Sequence, residues 1–129
     1  MTFIASKSGL LPPAEMIRYA MTKTAQLSIA RGLAEQTRGT GVTVNSVLPG
    51  PTRSEGIADF IQSVVVNKQA SEADRETEFF QTLRPLSLIQ RLIEADEIGS
   101  MVAYVASPLS SATNGAALRV DGGITPTIV

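Results

Sequence analysis

The order of apolar patterns along these 129 residues leaves few folds open. Thr2-Phe-Ile-Ala-Ser6 is a short apolar run stopped by polar residues and Gly9, which predicts a buried strand. Ala14 to about Arg38 is rich in Ala, Met, Leu, Gln and Glu, and Gly39 and Gly41 supply its stop, which predicts a long helix. Val42 to Leu48 is a β-branched strand ended by Pro49-Gly50-Pro51. Two helices are expected next, Ile57 to about Asn67 and Glu72 to Leu83, with a break at Arg84-Pro85. Ala95 to Ala106 predicts another helix, with Asp96 and Glu97 in its favourable first turn. Ala116 to Val120 is a last strand, closed by Asp121-Gly122-Gly123. Such alternation implies right-handed crossovers and therefore an α/β fold, a parallel sheet of about three strands with flanking helices. Ser6, Pro49 and the loop after Val120 should share the C-terminal edge of that sheet, where open α/β sheets bind ligands.

Composition removes whole classes of chemistry. There is no histidine and no cysteine, which excludes Ser-His-Asp catalysis, thiol chemistry, disulfides and most zinc sites. The net charge of -1 gives no basic surface for a nucleic acid partner. No apolar run reaches the ~18 residues of a membrane span, and the N-terminus does not read as a signal peptide. A soluble cytoplasmic protein is expected.

The chemistry-bearing pair is Tyr19 and Lys23 in Tyr-Ala-Met-Thr-Lys. On a helix the two share one face. A cation beside a phenol favours its ionised form, so such a tyrosine can exchange a proton with an alcohol or carbonyl near neutral pH. The same spacing also arises in a half-buried helix tyrosine beside a snorkelling lysine. Ser6 reads either as a polar group for a substrate or as a cap at a strand end. Asn45 is best read as satisfying buried backbone groups, and Asp121 as a turn residue before Gly-Gly. Glu72 to Glu78 reads as a solvated helix face, and Met16 and Met21 read as packing residues.

Taken together, these motifs resemble the short-chain dehydrogenase/reductase family. Ser6 precedes Tyr19 by thirteen residues and Gly9 follows Ser6 by three. Tyr19-Ala-Met-Thr-Lys23 matches Tyr-x-x-x-Lys, and Asn45-Ser-Val-Leu-Pro49-Gly50 matches the strand and turn that follow the catalytic helix. Ser54 stands where the family often has Thr, and Asn114-Gly115 and Val120-Asp-Gly-Gly123 match its C-terminal strand. The resemblance implies hydride transfer between NAD or NADP and a small alcohol or carbonyl substrate. It makes Ser6, Tyr19 and Lys23 the catalytic residues. It makes Tyr19, Lys23, Pro49, Gly50, Thr52 and Ser54 the cofactor-binding residues, with no metal. Residues 52–91 would form a substrate lid.

The family begins with a strand and a Gly-rich turn that holds the cofactor pyrophosphate, and these residues contain none. The expectation is a single partial domain over residues 1–129, the C-terminal half of a Rossmann-type domain. Alone it should neither hold a dinucleotide nor turn over substrate. An oxidoreductase present as a fragment is the first function class, and an inactive remnant serving as an association module is the alternative. The resemblance also implies a homo-oligomer packed through the long helix, with the stripe Ala20, Ala30 and Ala34 partly exposed. The substrate is not legible, nor is the choice between NAD and NADP.

Overall fold

Residues 1–128 are described by a computed structural model. The strand richest in buried side chains organises it. β2 (Asn45–Pro49) lies at the centre of a three-stranded sheet, between β1 (Thr2–Ile4) and β3 (Ala117–Val120). Both pairings are parallel, with Phe3 opposite Ser46 and Val47 opposite Leu118. Val47 and Leu48 are 0% exposed, the signature of a strand covered on both faces. Asn45 fixes its register against the segment before β3: Nδ2 donates to the Thr113 carbonyl at 2.7 Å, and Oδ1 accepts from the Ala116 N–H at 3.0 Å. The expected α/β fold with a three-stranded parallel sheet is therefore observed.

α1 (Ile17–Gln36) runs from β1 back to β2 and packs on both. Its small residues face inward. Ala20, Ala30 and Ala34 are 1%, 3% and 8% exposed, and the last two pack with Val44, Phe3 and Leu33. The expectation of a partly exposed alanine stripe is thus corrected: small side chains let the helix pack closely, so the chain's own segments, Val44 and Phe3 over Ala30 and Ala34, cover the stripe. Met21, expected to pack, is exposed instead.

α2 (Ile57–Val64) and α3 (Glu72–Glu78) follow β2, and α3 continues into a wide turn over Phe79–Leu83. They enclose a second core of Ile61, Val65, Phe79, Phe80 and Leu92. Phe79 meets Phe80 edge-on at 5.2 Å and Phe60 at 6.2 Å. Arg53 ties this unit to the next helix, donating to Glu76 and to Glu94, each at 3.0 Å. The charged face of α3 is therefore only partly a solvated one, since Glu76 also accepts from the Leu92 N–H at 2.9 Å. α4 (Ala95–Ala106) packs against the sheet and starts with a capping box between Glu94 and Glu97.

Element ends differ from the sequence expectation by local bonding. β1 stops at Ile4 because the chain turns at Ser6 into a single 3₁₀ turn, Lys7–Gly9. β2 starts at Asn45 because the Val44 N–H donates to the Asn114 side chain at 2.8 Å instead of to a neighbouring strand. α1 is preceded by a 3₁₀ turn, Ala14–Met16. No helix among the described residues is long and apolar enough to cross a membrane.

The end of β2 depends on one close approach. A Cβ on Gly50 would stand 2.8 Å from the Asp121 carbonyl oxygen and 2.9 Å from its Cα, both backbone atoms that cannot step aside. Gly50→Ala is expected to destabilise the fold by about 1–3 kcal/mol, the usual cost of overpacking. Urea unfolding should show a lower midpoint with an unchanged slope.

Candidate functional site

Three segments converge where the strands end. The first is the turn after β1. Ser6 is extended, and its Oγ accepts from the Ser8 N–H at 3.1 Å, so it caps the turn while keeping its own O–H for another partner. The turn lies tight on α1: a Cβ on Gly9 would come within 3.1 Å of the Lys23 carbonyl carbon. Thr24 Oγ1 donates to the Gly9 carbonyl at 2.9 Å. These two contacts set the serine segment against the helical turn that carries Tyr19 and Lys23.

The second segment is α1 itself. Lys23 Nζ stands 5.5 Å from the centre of the Tyr19 ring, within cation–π range. It donates to the Ile4 carbonyl and to Gln26 Oε1, each at 3.3 Å. One of its three N–H donors remains for a further acceptor. Tyr19 is 41% exposed, so its phenol is open to a ligand.

The third segment is the bend after β2. The Gly50 N–H donates to the Val120 carbonyl at 3.0 Å, and Thr52 Oγ1 donates to the Gly50 carbonyl at 2.9 Å. Thr52 also forms a parallel bridge with Ile93, which holds the bend against the residues leading into α4.

These segments line one cavity of about 430 Å³, in the size range of small-molecule sites. Ser6, Tyr19 and Lys23 line it. So do Pro49, Gly50, Thr52 and Ser54. Every residue singled out from the sequence as catalytic or cofactor-binding therefore reaches the same space. Ser6 and Pro49 share the C-terminal edge of the parallel sheet, as expected. Asn45 and Asp121 have the structural roles read from the sequence. Asn45 bonds backbone groups, and Asp121 Oδ1 accepts from the Gly123 N–H at 3.0 Å.

The sequence reading missed part of the wall. Ile57, Phe60 and Phe79 give it an apolar side, and Lys7 and Arg84 place two cations on it. Arg84 pairs with Glu15 at 2.6 Å and lies 5.3 Å from the Phe79 ring centre. A hydrogen bond within its own backbone, and then Arg84, hold the Glu15 carboxyl below its ordinary range. Burial pushes the Lys7 ammonium down, and Arg84 adds to that, while Glu15 and Asp121 oppose it. The only available signal was the position of Lys7 beside Ser6. Nothing local marked Arg84, whose partner Glu15 is 69 residues away.

The profile of the family described as enoyl-(acyl carrier protein) reductase matches residues 1–125. The chain belongs to the short-chain dehydrogenase/reductase family. It is 49% identical over 122 residues to "Uncharacterized oxidoreductase YvaG" of Bacillus subtilis, covering 95% of this chain and 46% of that protein. A short-chain dehydrogenase family protein from Francisella tularensis superposes with a TM-score of 0.83 at 23% identity. The match covers 98% of this chain and 50% of that one. A variant of actinorhodin polyketide ketoreductase, solved with NADPH, gives 0.82 at 25% identity, over 98% of this chain and 47% of the other. The chain thus spans about half the length of the curated relatives it matches. It shares with the solved members of this family the parallel α/β sheet.

Proposed function

We propose that this chain carries the reacting end of an NAD(P)-dependent dehydrogenase/reductase acting on a small alcohol or carbonyl compound. One observation carries the reading: all seven motif residues line a single cavity at the C-terminal ends of the strands. The motifs are those that follow the family's Gly-rich cofactor turn, so residues 1–129 correspond in this reading to the C-terminal half of such an enzyme. The pyrophosphate half of the cofactor is then held outside this chain.

The nicotinamide end fits the residues present. Lys23 lines the cavity with one N–H donor to spare, suited to a ribose hydroxyl, and the bend Pro49–Thr52 offers polar backbone at the same wall. When bound, the reduced cofactor supplies a hydride to the carbonyl carbon. Tyr19 gives its phenolic proton to the carbonyl oxygen, and an alcohol results. Ser6 donates its O–H to that oxygen and steadies the charge that develops there. Lys23 steadies the phenolate left on Tyr19, and a proton from solvent restores the phenol before the next turnover. Residues 52–91 act as a lid, since Ile57, Phe60, Phe79 and Arg84 all come from that stretch and close one side of the cavity.

The test joins this chain to the remaining half of its Bacillus subtilis relative YvaG and measures carbonyl-dependent oxidation of NADH and NADPH. Tyr19→Phe should lower kcat by about 10²- to 10⁴-fold, the range for losing a general acid, with cofactor affinity nearly unchanged. Ser6→Ala should lower kcat on the order of 10²-fold or more. Lys23→Ala should damage both kcat and cofactor affinity. Full activity in the Tyr19→Phe protein would refute the assignment.

The proposal includes a homo-oligomer. Its support is that α1 leaves Ile17 and Met21 exposed one turn apart. Sedimentation across a wide concentration range should give a mass above that of one chain. A clean monomer throughout would count against it.

A further inference from the structure

The cavity wall holds three cations, and two are already engaged. Lys23 donates to Ile4 and Gln26, and Arg84 is held by Glu15 at 2.6 Å and by the Leu83 carbonyl at 2.7 Å. The third is Lys7, next in sequence to Ser6. It is 6% exposed, yet its ammonium has no hydrogen-bond or ion-pair partner among the described residues. Its side chain lines the cavity, and an ammonium there with no hydrogen-bonded protein partner is open to an anionic ligand. Its charged neighbours make no hydrogen bond to it. Glu15 is paired with Arg84, and Asp121 Oδ1 accepts from the Gly123 N–H while its buried Oδ2 has no partner. Both carboxylates favour the ammonium at a distance, while Arg84 repels it. Burial accordingly weakens the hold of Lys7 on its proton.

We propose that Lys7 is a specificity-determining residue that receives a carboxylate carried by the carbonyl substrate, so that the preferred substrates are short oxo acids. This rests on the reading of the cavity as the carbonyl site. Lys7 follows Ser6 directly and both line the same cavity of about 430 Å³. A small molecule with its carbonyl oxygen on Ser6 then shares that space with the Lys7 side chain. One unpaired cation matches one monovalent anion, which favours a carboxylate over a doubly charged phosphate. The apolar side at Ile57, Phe60 and Phe79 suits the carbon chain of the same molecule.

The experiment is a ¹H–¹⁵N NMR titration of the full 129-residue chain with pyruvate, acetoacetate and levulinate, each beside its methyl ester. The spacing between carbonyl and carboxylate differs across the three acids. At least one acid should bind about tenfold more tightly than its ester, the scale of a hydrogen bond to a charged group. The perturbed amides should lie at the cavity. In Lys7→Met, which keeps the length and apolar stem of the side chain, the acid-to-ester ratio should fall to about one. Lys7→Arg, which keeps the charge, should retain the preference. Equal affinity for acids and esters in the parent chain, or a preference that survives in Lys7→Met, would overturn the assignment of Lys7 and leave the carbonyl site standing. Failure of both acids and esters to perturb the cavity residues would overturn the carbonyl site together with it.

Discussion

The close approach of Gly50 to the backbone of Asp121 is the constraint on which the site depends. β2 is buried on both faces, so its end cannot shift sideways without disturbing Val47 and Leu48. The loop after β3 is pinned in turn, with Asp121 bonding Gly123, and Gly122 accepting from the Leu88 N–H at 2.8 Å. Only a residue without a side chain lets the two backbones meet there. The bend Pro49–Thr52 then leaves the sheet in a fixed direction, across from the turn that holds Ser6. The same device recurs at Gly9, which lets that turn lie on the backbone of α1 at Lys23. Two glycine contacts thus set three segments around one cavity, and a family whose chemistry needs three groups held together has reason to use them.

Much of this was legible in the sequence, and the reason is locality. Tyr19 and Lys23 share a helical face by spacing alone, and Ala95–Ala106 forms the expected helix, with Asp96 and Glu97 in its first turn, despite Gly99 in its interior. The β-branched run before Pro49 reads as a strand from its own residues, whereas its place between β1 and β3 comes from the structure. The alanine stripe of α1 shows where such reading stops. Periodicity tells which side chains share a face, but not whether a sheet or another molecule covers it. Lys7 and Arg84 escaped for a related reason. Whether a cation is buried depends on segments far apart in sequence, such as Glu15 and Arg84, and no local pattern encodes that meeting.

The electrostatics of the cavity follow from its packing. Aromatic and aliphatic groups from residues 57–79 exclude water from one side and strengthen any charge interaction inside. Arg84 is shielded by Phe79 and answered by Glu15, so it acts as a fixed part of the wall. Lys7 has no hydrogen-bonded partner of that kind among the described residues, and Glu15 and Asp121 act on it only at a distance. A cavity lined by a phenol, a serine hydroxyl and a cation without a hydrogen-bonded partner is suited to a polar group flanked by an anion.

The central claim is that the cavity at the strand ends is where a carbonyl group is reduced. The most direct measurement follows the transferred hydrogen. NADH and NADPH deuterated at the reacting carbon are supplied to the joined protein containing this chain, with a carbonyl substrate, and the alcohol is examined by mass spectrometry. The account predicts one deuterium on the former carbonyl carbon, with product formation dependent on Tyr19. Alcohol formed without the label, or labelled alcohol formed equally well without the Tyr19 phenol, would contradict it.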